Sequence, residues 1–284
     1  MPLFRKVSKN TTTVNNYTTI DGVQIPATIK TASEPGDYFI GIDTNGGLYK
    51  ITKADLLAGL SSDGGSGTVS GNKTLLLLHG ETIADSSTYL KSLTNTDVSS
   101  VADYSKFGGK SLYFNGASRL SVSSESFASG SNDFCFEMFI RWAQTSFSGE
   151  PGIFQLSSAG DGLQAGYSNS LGIAVVPISG NPKYFMIANG NAYNGTIEVM
   201  PNSFDYIALK RETRVVSGIE KRITSLWVNG YESVSVEDNT AYSCSKLALG
   251  GYYSTGYLGR FYLDDFRVSS EAKNTSTVPT VMLT

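Results

Sequence analysis

The side chains able to make or break bonds in this chain are its acids, one histidine and two cysteines. Two aspartates, Asp264 and Asp265, stand together in the run GRFYLDDFRV, residues 259–268. Glycoside hydrolysis needs two carboxyls flanking one bond, so their spacing decides whether it can occur. No E-x-D-x-E run is present to set such a pair on one strand face. Glu137 is a lone acid in an aromatic run. Glu237 and Asp238 are adjacent, so their side chains diverge on a strand. Glu150 and Asp161 sit in loops without partners. His79, in LLLLHGET, has no nucleophile elbow near it, which leaves Ser–His–Asp chemistry unsupported. Cys135 and Cys244 have no histidine beside them, which disfavours a Cys–His nucleophile or a His-based zinc site. Both read as small buried thiols, with a disulfide under oxidising conditions as the alternative. Hydrolysis is the weaker expectation.

Binding is the stronger one. The segments SNSLGIAV, ANGNAYNGT and LGGYYSTGYLGR are rich in Asn, Ser, Gly and Tyr. Those residues supply stacking faces and adaptable hydrogen bonds, which suit sugar and receptor surfaces. Tyr252, Tyr253 and Tyr257, set between glycines, are the first candidates, followed by Asn191 and Tyr193 of the 189–195 loop. The competing reading is that these rings only cover a sheet.

The elements that must position these groups are strands. The chain has 284 residues, 40% hydrophobic and 17% charged, with 30 Gly, 16 Tyr and 14 Phe. Few charges with many aromatics and glycines favour short strands and tight turns over helices. A formal charge of −3, of mixed sign along the chain, gives no nucleic-acid-binding face. No apolar run approaches the ~18 residues of a membrane helix, and the N-terminus lacks a signal-peptide core, so no membrane insertion is expected.

Composition divides the chain. Residues 1–35 are Thr- and Asn-rich, with apolar residues too sparse for a core, and read as an extended arm that needs a partner or other copies. Residues 36–60 read as a small hairpin–helix module: strands at 38–42 and 48–51, Thr52 as N-cap, and a short helix over 53–58. Residues 61–72, SSDGGSGTVSGN, are a Gly/Ser linker. From 73 to 284 the β-prone runs are TLLLLHG, SLYFNG, RLSVSS, DFCFEMFIRW, GIFQLSS, LGIAVVPI, KYFMIANG, GTIEVM, FDYIALKRE, ITSLWVNG, KLALGG and GRFYLDDFRV. Asn-Gly pairs at 115–116, 189–190, 194–195 and 229–230 mark hairpin turns. In DFCFEMFIRW, residues Phe134, Phe136, Met138, Ile140 and Trp142 share the core face, and the other face is partly covered too. About a dozen strands over roughly 210 residues fit one all-β, two-sheet antiparallel sandwich.

The order FGGKSLYFNGASRLSV, DFCFEMFIRW, FDYIALKRE, ITSLWVNG and GRFYLDDFRVS resembles the laminin-G-like, concanavalin A-type jelly roll over about residues 74–284. The resemblance implies that the early run GGKSLYFNG and the closing run GRFYLDDFRV are neighbours. It also implies a structural calcium, with Asp264 as the carboxylate, the Asn115–Gly116 turn supplying carbonyls and Asp85 nearby. Calcium takes six to eight oxygen ligands, so carbonyls serve as well as carboxylates. The alternative is that Asp264 and Asp265 cap a sheet edge or pair with Arg260 or Arg267.

Residues 36–60 resemble a short module of bacteriophage tail fibres and related virion appendages, carried by Asp37, Gly41, Asp43, Gly46, Leu56 and Leu57. The resemblance implies a virion protein assembled in the host cytoplasm. A tail-fibre or adhesin subunit is the expectation, with a capsid fibre or decoration protein and a polysaccharide hydrolase as alternatives. Its expected partners are other copies of itself as a homotrimer, tail or capsid proteins contacting residues 1–60, and a host-surface glycan or receptor bound by the jelly roll.

Overall fold

The computed structural model describes residues 73–147, 149–157, 168–178, 180–250 and 259–284, and the backbone of five earlier strands. It divides into two units, residues 1–72 and 73–284. In the first unit β1 (Arg5–Val7), β4 (Tyr38–Ile42) and β5 (Leu48–Thr52) form a three-stranded antiparallel sheet, and β2 (Tyr17–Ile20) pairs with β3 (Val23–Pro26). The expected hairpin at 38–52 is present. Thr52, expected as a helix N-cap, is the last residue of β5, opposite Tyr38. The expected helix at 53–58 and linker at 61–72 lie outside the described residues.

In the second unit the strands are β6 (Thr74–Leu78), β7 (Thr94–Thr96), β8 (Ser99–Val101), β9 (Ser111–Asn115), β10 (Arg119–Ser123), β11 (Phe134–Trp142), β12 (Gly152–Ser157) and β13 (Leu171–Ile178). They continue as β14 (Asn181–Ala188), β15 (Asn191–Glu198), β16 (Phe204–Val216), β17 (Ile219–Val228), β18 (Tyr231–Glu237), β19 (Lys246–Leu249) and β20 (Arg260–Ser269). A seven-stranded sheet runs β15-β14-β13-β12-β19-β10-β7. An eight-stranded one runs β18-β17-β16-β11-β20-β9-β8, with β6 also on β20. Every pairing is antiparallel, and the whole is a two-sheet jelly-roll sandwich.

The face assigned from the sequence to the core is the core. Phe134, Phe136, Met138, Ile140 and Trp142 all join the cluster between the sheets, facing Phe154, Leu156, Leu171 and Ile173. The outer face of β11 is covered as well: Cys135 and Phe139 pack with Tyr206 and Ala208. There Glu137 accepts from Tyr206 Oη (2.6 Å) and from Arg267 Nη2 (2.6 Å). The two thiols are not in a disulfide and lie in separate clusters, Cys135 outside and Cys244 between the sheets.

The four Asn-Gly pairs behave differently. Asn189–Gly190 and Asn229–Gly230 close two-residue hairpins with positive φ at both residues, 49° and 76° in the first and 51° and 87° in the second. The pair at 115–116 carries the chain from one sheet to the other, since β9 and β10 belong to different sheets. The pair at 194–195 is no turn and lies inside β15. Sequence reading also missed β7, β8 and β18, and it ended β16 too early.

Arg211 ties the loops at one end of the sandwich. Fully buried between the rings of Phe134 and Tyr242, each 5.0 Å away, it donates to Asn132 O, Gly130 O and Thr240 O. Arg211→Ala leaves those carbonyls without their donor. A loss of about 3 kcal/mol or more is expected in urea unfolding, and a change under 1 kcal/mol would show that water replaces the guanidinium. Among the described residues the core cluster is drawn from residues 75–268, and residues 73–284 made alone should melt in one cooperative transition. Near-UV circular dichroism without tertiary signal would contradict this.

Candidate functional site

Where the outer strands of the two sheets face each other, the sandwich is first pinned and then parts. Thr196 and Ile197 of β15 donate backbone N–H groups to Ser233 Oγ of β18 (3.0 and 3.2 Å), and Thr196 Oγ1 donates to Ser233 O (3.1 Å). Gly195 makes this approach feasible, because a Cβ there would stand 2.4 Å from Ser233 Oγ and 2.5 Å from Tyr184 O. This is why the 194–195 pair is strand and not turn.

Beyond the pin the edges separate and a cleft of about 380 Å³ opens. Asn189, Asn191 and Tyr193 form one wall and the run 236–240 the other. Asn191 and Asn239 are exposed, while Tyr193 is half-buried with its inner side against the core. The structure therefore brings together two of the five sequence-derived ligand candidates, Asn191 and Tyr193. Tyr252, Tyr253 and Tyr257 lie outside the described residues.

The two acids of the second wall diverge, as adjacency on a strand requires. Glu237 points to solvent and accepts from Lys221 Nζ (2.7 Å), whose hydrogen bond and charge hold its carboxyl below the usual range. Asp238 turns inward and accepts from Thr224 Oγ1 (2.7 Å), Tyr242 Oη (2.7 Å) and Thr240 N (3.1 Å). Burial opposes its ionisation, but these donors outweigh burial and keep its carboxyl low. Both cleft acids are thus held as carboxylates, and neither is poised to give a proton. Sequence reading weighed them only as a failed catalytic pair. Their place in the cleft wall follows from the β15–β18 contact, which carries no local sequence signal.

The expected metal ligands are not brought together. Asp85 is saturated: its carboxylate accepts from Leu77 N (3.0 Å), Ser87 N (2.8 Å), Ser87 Oγ (2.9 Å) and Lys91 N (2.7 Å), organising its own loop. Asn115 Oδ1 accepts from Ala117 N (2.8 Å) and Ser118 N (3.0 Å). The Asn115–Gly116 turn pairs at Arg260, four residues from Asp264, or on the order of 13 Å along the strand. Among the described residues no three His, Cys, Asp or Glu side chains group to hold a metal ion.

Asp264 itself is unusual. It is fully buried; Oδ2 accepts from Lys106 N (2.7 Å) and Phe107 N (3.1 Å), while Oδ1 has no hydrogen-bond partner among the described residues. Burial, together with the charges of Asp265 and Glu81, pushes its carboxyl up to about 6 despite the two N–H donors. Glu81 carries another such oxygen: its Oε2 is buried without a partner among the described residues, and Oε1 accepts from Gly109 N (3.4 Å). Asp265 is satisfied by His79 Nδ1 (2.7 Å) and Leu283 N (2.8 Å). Neither aspartate pairs with Arg260 or Arg267, and Arg267 goes to Glu137.

No family model and no curated protein matches the chain. Among solved structures, the receptor-binding domain of botulinum neurotoxin type G aligns with a TM-score of 0.51 at 15% identity, over 72% of this chain and 49% of that one. The receptor-binding domain of the botulinum neurotoxin C/D mosaic serotype gives 0.50 at 12%, over 72% and 49%. Domain 4 of AbnA, a GH43 extracellular arabinanase from Geobacillus stearothermophilus, in complex with arabinotriose, gives 0.49 at 15%, over 72% and 95%. The chain spans about half the length of the botulinum chains it matches. At these identities the likeness is one of fold, and the fold is the two-sheet antiparallel β-sandwich.

Proposed function

We propose that residues 73–284 are the recognition head of a bacteriophage virion protein, a tail-fibre or adhesin subunit, and that the cleft between 189–193 and 236–240 holds a host-surface glycan or receptor group. The cleft carries this reading. It offers exposed amides, a hydroxyl and one aromatic wall, the mixture that fixes sugar hydroxyls while stacking on ring faces. The botulinum domains are named for receptor binding, but the fold they share leaves the argument with the cleft. The virion context rests on the tail-fibre-like pattern at 36–60 and on an arm too poor in apolar residues to fold alone. The same arm would join copies as a trimer and engage tail or capsid proteins. Hydrolysis is disfavoured because a glycosidase needs one protonated carboxyl, and both cleft acids are held ionised.

A glycan array probed with residues 73–284 tests the reading. Asn191→Ala should weaken the strongest interaction about tenfold, the loss of roughly one hydrogen bond, with the melting temperature unchanged. Undiminished binding by that variant would move the contact surface elsewhere. Release of reducing ends from a bound glycan would favour the hydrolase.

A structural cation is the second element, with a ligand set different from the one expected. We propose that Asp264 Oδ1 and Glu81 Oε2, buried carboxylate oxygens without a hydrogen-bond partner among the described residues, face a calcium that carbonyls and water complete. In the absence of the cation, an Asp264 carboxyl at about 6 in the fold and about 3.9 unfolded contributes stability that is complete below pH 4 and lost as pH rises through 6. A cation reverses this by favouring the carboxylate. In chelator, wild type should therefore lose melting temperature relative to Asp264→Asn between pH 4 and 7. Calcium at a hundredfold excess over Kd should restore about 2.7 kcal/mol to wild type and nothing to the variant. Wild-type melts identical with calcium and with chelator would leave Asp264 a buried acid and no ligand.

A further inference from the structure

The charges of the cleft narrow what can enter it. Among the described residues its walls carry two carboxylates, Glu237 and Asp238, and no Lys or Arg. Lys221 lies outside the lining and is occupied by Glu237, and the Arg211 guanidinium is buried behind Thr240. Asp238 is fixed by three donors and cannot swing away. The remaining polar groups, on Asn189, Asn191, Asn239 and Thr240, are neutral and offer donors and acceptors alike. An entering carboxylate, sulfate or phosphate would face Glu237 and Asp238, whose counter-ions, Lys221 and the buried Arg211, lie outside the lining, and such like-charge juxtaposition is selected against at interfaces.

Glu237 differs from Asp238 in being replaceable. Its contact with Lys221 joins two half-exposed side chains, 34% and 46% accessible, and such surface pairs are weak. A ligand amine can take the place of the Lys221 ammonium on the same carboxylate at little cost.

We propose that the cleft selects saccharides by charge, admitting neutral and amine-bearing sugars and rejecting acidic ones, with Glu237 as the specificity-determining residue. This rests on the reading of the cleft as the glycan site. The acceptance of amines extends it, since a free 2-amino group would exchange with Lys221.

The test uses the full chain on an array with matched neutral, sialylated, sulfated and free-amine glycans, followed by titration of glucosamine trisaccharide and its N-acetylated form. Binding should be confined to neutral and amine-bearing glycans. Glu237→Gln should cost the free-amine trisaccharide about tenfold relative to the N-acetylated one and raise the signal of acidic glycans. Lys221→Ala should tighten the free-amine form, because its competitor is gone. Acidic glycans among the wild-type ligands, or an unchanged preference in Glu237→Gln, would overturn charge selection while leaving glycan binding intact. If no glycan binds at all, charge selection falls together with the reading beneath it.

Discussion

The sandwich depends on how β20 carries two adjacent acids through the middle of a sheet. Regular alternation would send either Asp264 or Asp265 into the core, where an unpaired carboxylate costs several kcal/mol. The strand avoids this with a bulge. Glu137 pairs with Arg267 and Phe139 with Asp264, so Asp265 and Phe266 together oppose the single residue Met138. Asp265 takes a left-handed φ of 47°, which aspartate tolerates better than most residues. The parity of the strand flips there: Phe261 and Leu263 face the core before the bulge, and Phe266 and Val268 after it. The bulge also sits where β20 changes partner on its other side, from β9 at residues 260–263 to β6 at 266–269. The gap between those partners admits His79, Leu283 and the Lys106–Phe107 backbone to the two carboxylates.

The same economy governs the opposite edge. A sandwich must finish its outermost strands without exposing long unpaired ladders. Here β15 and β18 are joined through one serine, and Gly195 supplies the space for it. One pin does not close a whole edge, so the edges diverge beyond it. The cleft is the consequence of that single contact. Its floor is rigid because Arg211 holds Thr240 and Tyr242 holds Asp238, both from the packed interior. Polar groups that face inward are committed, and those that face outward, on Asn191 and Asn239, are exposed at the rim.

Much of the fold was legible because strand alternation and turn chemistry are local. DFCFEMFIRW declared its core face, and Asn189–Gly190 and Asn229–Gly230 declared their hairpins. The neighbourhood of β9 and β20 followed from the jelly-roll resemblance, and the register confirms it. Failures arose where a residue had a long-range reason to be where it is. Asn194–Gly195 carries the composition of a turn, yet its glycine answers to Ser233, 38 positions away in sequence. Asp85 looked available for a metal because nothing local reveals that four donors converge on it. Glu81 was passed over for the converse reason, since its orphaned oxygen is visible only once Gly108 and Gly109 are folded against it.

The two acid pairs of the chain show how one dipeptide chemistry is put to opposite uses. Glu237–Asp238 ends an edge strand, where alternation is free to separate the side chains. One then becomes an exposed contact and the other a hydrogen-bonded support. Asp264–Asp265 sits in a central strand, where separation would bury a charge in the core, so the backbone bends to keep both out. At the edge the acids stay ionised because donors and solvent reach them. In the centre, burial raises both carboxyls and disfavours their charged forms. Position within the sheet, more than residue identity, decides which acid is exposed and which are held for structure.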